Sequence, residues 1–342
     1  MPKLDVVPSV AVVILNWNGR SMLEKFMPSI VRSAYPNLSL VVGDNASTDS
    51  SISFLKEHYP QVKLIVNEEN YGFAGGYNRV LSQIEADYFV LLNSDVEVPE
   101  NWIMPVIQLM ESDPMIAAAQ PKIKAQAYPL YFEYAGAAGG FIDLYGYPFC
   151  RGRIFDTVEK DSGQYDQDCD IFWASGAAFF IKSPKWKEVG GLDADLFAHM
   201  EEIDLCWRLK NLGYRIVCCT AAEVLHVGGG TLNAINPYKT YLNFRNNLII
   251  MQKNLPKMEA YWRIFWRMWL DLAAMFHFLF QGKPKFFMAI SKGHQHFIGQ
   301  LFRTAKKRGL QQVAFKKMTG VYRGSMVWTY FIKKIRKFSG LN

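Results

Sequence analysis

Short aliphatic runs punctuate the first part of the chain at a nearly even interval: Val10–Leu15, Leu38–Gly43, Val62–Asn67 and Tyr88–Asn93. Between them, Ser21–Ala34, Asp49–Tyr59 and Gly75–Ile84 place their apolar residues at helical spacing. That alternation predicts an α/β fold, a doubly wound and mainly parallel sheet with flanking helices. Tyr88–Leu92 shows no polar alternation, the pattern of a strand buried on both faces. Each run stops on a polar cluster: Asn16-Trp17-Asn18-Gly19, Asp44 through Asp49, Asn67 through Gly76, and Asn93-Ser94-Asp95. Parallel strands deliver their carboxyl ends to one edge, so four clusters distant in sequence should line one crevice.

Farther on, Asn101–Ser112 reads as a helix and Met115–Pro121 as a strand. Residues 122–170 scatter Tyr, Gly, Pro and Asp without a period and predict loops with room for a hairpin. Ile171–Ile181 is a second apolar run, centred on Ser175-Gly176, and Met200–Leu209 is a helix stopped by Gly213.

Length and charge divide the chain. At 342 residues it suits two domains of about 100–200 residues, or one with an appendage. The formal charge of +7 is the balance of +16 from Lys253 onward and −9 over residues 1–252, an acidic body with a basic tail. Tyr261–Phe280 is aromatic but carries Arg263, Arg267, Asp271 and His277, too many charges for a helix that crosses a bilayer. Its composition suits a helix lying in the headgroup region of an anionic membrane, assisted by Lys and Arg at 303–308, 316–317 and 333–337. A chain ended near Asn254 is then expected to stay soluble. Five cysteines, without a Cys-x-x-Cys pair, predict reduced thiols of a cytoplasmic protein. Val10–Leu15 is too short for a leader and is expected to be the first strand.

The clusters also suggest chemistry. Asp95 offers a hard oxygen ligand for a divalent cation beside a diphosphate. Asp44, at the end of the second strand, stands where such folds accept hydrogen bonds from ribose or base. The glycines of Asn70–Asn78 would admit a ligand to the backbone and open a helix whose first amides attract phosphate. Glu201, Glu202 and Asp204 could supply a base, and His226 a metal ligand or phosphate contact. Taken singly these are ordinary features: Asx-turns, acids in a first helical turn, an Asp204–Arg208 pair, a structural histidine. No Gly-x-Gly-x-x-Gly follows the first strand and no Walker sequence is present, which excludes the usual dinucleotide and P-loop enzymes.

Five clusters taken together resemble a known family. Val-Val-Ile-Leu-Asn-Trp-Asn-Gly, Asp-Asn-Ala-Ser-Thr-Asp, Asn-Tyr-Gly-Phe-Ala-Gly-Gly-Tyr-Asn, Leu-Leu-Asn-Ser-Asp and Glu-Glu-Ile-Asp-Leu-Cys-Trp-Arg stand in the order found in family 2 glycosyltransferases of the GT-A fold. The likeness covers Val10–Asn254 and is to bacterial rhamnosyltransferase-like enzymes of surface polysaccharide synthesis. It implies inverting, metal-dependent transfer from a nucleotide-sugar donor to a saccharide or lipid-linked saccharide acceptor. Residues 1–252 would be the nucleotide-sugar-binding catalytic domain and 253–342 a helical extension, peripheral on the cytoplasmic face of the membrane. Asp44 would bind the base, with Asn16, Asn70, Gly75 and Asn78 lining the nucleotide pocket. The family's Asp-x-Asp metal motif corresponds to Asn93-Ser94-Asp95, leaving Asp95 as the main carboxylate ligand of Mg²⁺ or Mn²⁺, helped by His226. Glu201-Glu202 stands where the family has Glu-Asp, which assigns the base to Glu202 with Glu201 and Asp204 in contention. Trp173 could stack on the acceptor. Nucleic acid is not the expected partner. The competing classes are a nucleotidyltransferase, which needs a basic glycine-rich loop that Asn16–Arg20 does not supply, and a non-catalytic sugar- or nucleic-acid-binding protein, which needs no acids at both Asp95 and Glu202.

Overall fold

The computed structural model describes residues 6–228 and 236–341. The four aliphatic runs become β1 (Val10–Asn16), β2 (Leu38–Asp44), β3 (Lys63–Val66) and β4 (Tyr88–Leu92), separated by α1 (Arg20–Ile30), α2 (Ser51–His58) and α3 (Gly72–Leu81). They pair in parallel, with Asn16 beside Asp44 and Ile14 beside Leu92. Strand residues alternate between two cores, as a period of two requires. Ala11, Val13, Phe89 and Leu91 pack with Tyr77 and Val80 of α3. Val12, Ile14, Val90 and Leu92 pack on the other side with Leu23 and Met27 of α1.

Beyond β4 come β5 (Val96–Glu97), α4 (Ile103–Glu111) and β6 (Ile116–Ala125), the last four residues longer than its apolar signal. The segment 122–170 is more ordered than its composition predicts. It carries β7 (Gly140–Asp143), β8 (Pro148–Cys150), β9 (Arg153–Ile154) and β10 (Thr157–Val158), strands of two to four residues, too short to show an alternation. The chain continues through β11 (Cys169–Ile171), β12 (Ala178–Lys182), α5 (Ser183–Glu188), α6 (Glu201–Asn211) and β13 (Arg215–His226). The main sheet has nine strands, eight in the order β11-β13-β6-β12-β4-β1-β2-β3, with β5 on β13. Its β1–β4 half is parallel; β12 runs antiparallel to both β4 and β6.

The basic C-terminal region is interleaved with the body. Helix α7 (Pro237–Asn254) straddles the boundary expected after residue 252, and its Lys253 is buried against Asp193 and Asp204, each 2.8 Å from the ammonium. After α8 (Lys257–Phe280), α9 (Pro284–Gly299) and α10 (Leu301–Ala305), Phe315 stacks on Trp207 of α6 with ring centroids 4.8 Å apart. Strand β14 (Val321–Tyr322) then joins β7 in parallel and completes a second sheet of order β10-β9-β8-β7-β14.

Candidate active site

The carboxyl edge gathers the expected clusters. At the ends of β1 and β2, Asn16 Nδ2 donates to Asp44 Oδ2 at 2.9 Å, and the Ser47 amide donates to Asp44 Oδ1 at 2.8 Å. Asp44 is fully buried, so the nucleotide-base role expected of it meets a side chain that braces two strand ends. Asn16 Oδ1 is buried without a partner, while a Cβ on Gly19 would lie 3.8 Å from Ser94 Oγ, so the loops after β1 and β4 meet.

The glycine-rich segment does a different job from the one its composition predicts. The amides of Phe73 and Ala74, which open α3, donate to the carbonyl of Phe197 and are not free for phosphate. Gly72, at φ +70°, gives the Phe197 ring room; a Cβ there would come within 2.5 Å of it. Asn70 Oδ1 accepts from Asn45 Nδ2 and the Gly72 amide, both at 2.9 Å. Asn78 spends both ends of its amide on the backbone of Leu192. Gly75 lies beside Tyr71. Of the expected nucleotide-pocket residues, Asn70 and Asn78 are thus committed to holding loops. Trp173 is likewise a core residue, its ring against Gly140 and its Nε1 donating to the Phe141 carbonyl.

Asp95 and His226 are brought together by strand pairing. β5 runs antiparallel to β13 with Val96 opposite His226, and the Val227 amide donates to the Asp95 carbonyl. His226 Nε2 then lies 3.1 Å from Asp95 Oδ1 and 3.5 Å from the Asn93 side-chain amide. On the opposite ring nitrogen, Nδ1 is 3.5 Å from Glu133 Oε2. Burial opposes a charged imidazole here, but the hydrogen bond to Asp95 and the facing Asp95 and Glu133 carboxylates outweigh it and raise the pKa to about 10. A separation near 3 Å between a carboxylate oxygen and an imidazole nitrogen is what two adjacent ligands of an ion with bonds of about 2.1 Å would show. The pair can hold a divalent cation that displaces the imidazole proton, since a ligating nitrogen must be deprotonated. Glu133 addresses the other nitrogen, and among the described residues no three acidic, histidine or cysteine side chains converge on one point. The glycine turn that follows His226 lies beyond Gly228 outside the described residues.

A second set of carboxylates sits on α6. The loop Phe172–Ala177 links it to β4, since Ala177 accepts from the Asn93 amide and the Ala174 amide approaches Cys206 Sγ at 3.5 Å. Entry to α6 is made by Phe197, His199 and Met200, all with left-handed backbones at φ 63°, 67° and 73°. Glu201 and Glu202 follow, each with a buried Oε2 that has no partner. Burial raises Glu202 to about 7, against backbone hydrogen bonds of the helix start, and burial with the neighbouring Glu202 charge raises Glu201 further. Asp204 differs. Its Oδ2 accepts from Arg208 and Lys253, its Oδ1 from Asn254, and despite burial those cations hold its pKa below the usual range. It ties α6 to α7 and is withdrawn from contention as a base.

Sequence reasoning missed Glu133, His199 and Lys239. Glu133 sits in the segment judged irregular, and only its pairing with Ile123 of β6 aims it at His226. His199 Nε2 is buried and unpartnered; burial, then Lys239, lower its pKa to about 4, so the ring is neutral at pH 7. Its one sequence signal was adjacency to the acidic helix.

Residues 11–147 match the model of the family described as glycosyl transferase family 2. An N-acetylglucosaminyl-diphospho-decaprenol L-rhamnosyltransferase of Mycobacterium tuberculosis is 26% identical over 236 residues, covering 65% of this chain and 76% of the relative. Rhamnosyltransferase WbbL of Escherichia coli K12 is 21% identical over 224 residues, 64% and 83% of the two chains. Among solved structures, a mannosyltransferase of Pyrobaculum calidifontis in complex with GDP-Man and Mn²⁺ is similar with TM-score 0.53 at 13% identity, covering 86% of this chain and 88% of that one. GalNAc-T7 with UDP, GalNAc and Mn²⁺ gives TM-score 0.56 at 16% identity, covering 73% of this chain, which spans only about half (48%) of that one. At such identities the structures establish the fold. Residues 11–147 thus form a glycosyl transferase family 2 domain, in a chain whose fold is that of the GT-A structures. Its curated relatives include rhamnosyltransferases.

Proposed function

We propose that the protein transfers a sugar, with inversion, from a nucleotide-sugar donor to a saccharide or lipid-linked saccharide acceptor in cell-surface polysaccharide synthesis. The observation that carries this reading is Glu202, a carboxylate poised near neutrality, with an unpartnered buried oxygen, on a helix tied through the loop 172–177 to Asn93 at the end of β4, two residues before the Asp95 that meets His226. In one displacement the acceptor hydroxyl oxygen bonds to the anomeric carbon from the face opposite the diphosphate. Glu202 takes the hydroxyl proton, and the bond to the diphosphate oxygen breaks with its electron pair leaving on the nucleoside diphosphate. Asp95 and His226 are the residues that would hold a divalent cation, whose chemistry is to offset charge on that leaving group. The Mn²⁺ named with two structural neighbours supports the choice of metal. Attachment to the cytoplasmic face of an anionic membrane belongs to the same reading, since the mycobacterial relative is named for a decaprenol-linked substrate.

Incubation with a panel of nucleotide sugars and Mn²⁺, with and without chelator, tests it. Metal-dependent release of nucleoside diphosphate, and an anomeric configuration inverted in the product, are expected. Release of pyrophosphate would indicate a nucleotidyltransferase, and binding without turnover a sugar-binding module.

A further inference from the structure

Helix α8 is turned inside out relative to a normal surface helix. Its charged residues at 263, 267 and 271, one per turn, face the protein. Asp271 is fully buried and accepts from Arg267 Nε at 2.7 Å and from the Tyr147 hydroxyl at 3.0 Å, with His294 Nε2 also at 3.0 Å. Arg267 reaches Asn247 Oδ1 at 2.7 Å, and Arg263 pairs with Glu259 and the Leu144 carbonyl. The charges that make this helix look unsuited to lipid are therefore its tether to the body.

Its outer face is aromatic. Trp262 is 62% exposed, Trp269 56% and Phe280 86%, and Phe265 and Phe276 complete a stripe at steps of three, four and seven. At 1.5 Å per residue the stripe from 262 to 280 runs about 27 Å. Monomers rarely leave such a surface to water. The charge around it selects the occupant. After Asp271 the chain has no acidic residue and 14 Lys and Arg. Lys257, Lys283 and Lys285 flank the helix ends, and Lys316 lines a surface cavity of about 450 Å³ together with Trp262. A second copy of the chain would set lysine against lysine. Anionic headgroups answer the charge while the acyl boundary takes the rings. No helix among the described residues is long and apolar enough to cross a membrane.

We propose that the outer face of α8 lies flat in the headgroup region of an anionic phospholipid bilayer, with Trp262, Phe265 and Trp269 inserted. The proposal rests on the reading of the enzyme as one that meets a lipid-linked acceptor, and it gives that reading a docking face. The full chain, mixed with phosphatidylcholine vesicles with or without phosphatidylglycerol, should sediment only with the anionic ones. Its tryptophan emission should be quenched by brominated acyl chains. The variant W262S/W269S changes only exposed residues; its unfolding midpoint should stay that of the parent while its vesicle affinity falls at least about tenfold. Equal sedimentation of the variant and the parent, absence of quenching, or a solution dimer that the variant dissolves would each overturn the proposal. Transfer to a water-soluble acceptor, measured on the same preparations, separates the two failures: retained transfer without vesicle binding removes only the docking face, and absent transfer removes the enzymatic reading.

Discussion

Glu202 and Asp95 stand on different elements, and their variants should fail in different ways. Glu202→Gln keeps the side chain's shape but cannot take a proton, so turnover should fall on the order of 10²–10⁴-fold while the donor Kd, read by calorimetry, stays near that of the parent. Asp95→Ala should also weaken Mn²⁺-dependent donor binding; near-normal turnover of Glu202→Gln would shift the base to Glu201. Because the reactive form is the carboxylate and burial raises its pKa to about 7, kcat should rise with pH through that value and then level off. The same shift acts on stability with the opposite slope. The folded chain holds this proton where the unfolded chain has lost it, so the contribution is complete below the ordinary glutamate pKa and is lost as pH rises through about 7. Glu133 makes a separate expectation, since its carboxylate faces the His226 nitrogen turned away from Asp95. Losing a partner that orients a metal-binding imidazole typically costs about 10–100-fold in affinity. Mn²⁺ titration should show that loss for Glu133→Ala, a smaller one for Glu133→Gln, and none further when His226→Ala is already present. At this scale the meeting of Asp95 with His226 and the buried carboxylate of Glu202 fall on residues that the sequence marks by a recognisable cluster, and their roles remain part of the proposal. Glu133 is not so marked, because strand register alone brings it to the site.

At the scale of elements, the parallel strands and their helices could be read from period and punctuation, while the second sheet could not, since β9 and β10 are two residues each. The glycine-rich opening of α3 was legible as a special backbone but misread in purpose. Its amides serve Phe197, and Asn78 clamps Leu192, so α3 and the loop leading to α6 form one unit that sets where Glu202 points. Asn78→Ala should therefore destabilise the fold by about 2 kcal/mol by leaving backbone groups of Leu192 unpaired. Thermal unfolding should show this while the donor KM stays nearly unchanged. A large rise in donor KM without loss of stability would return Asn78 to the nucleotide pocket. Asp204→Asn should act in the same structural sense, leaving buried Lys253 and Arg208 short of their carboxylate, and should cost about 3 kcal/mol or more.

For the whole molecule, charge asymmetry located the change in character near residue 252 but implied a separable tail. The contacts argue otherwise. Cutting after Asn254 would remove β14 from β7, lift Phe315 from Trp207 and strip Arg267 from Asn247 of α7. It would also take Lys307 from Asp193, a carboxylate that Lys253 and Lys307 together hold well below its usual pKa in spite of burial. Each of these leaves either an apolar ring or a buried polar group without its partner, at a cost of about 1–3 kcal/mol apiece, and together they rival the marginal stability of an ordinary domain. Sequence could not report this, because every one of the contacts joins residues more than a hundred apart except Arg267 with Asn247. The truncated chain 1–254 should accordingly accumulate in the insoluble fraction, or lack a cooperative unfolding transition and near-ultraviolet circular dichroism, where the full chain shows both. A soluble 1–254 chain that melts cooperatively and binds a nucleotide sugar would instead make the C-terminal region an appendage, and confine its role to the membrane contact of α8.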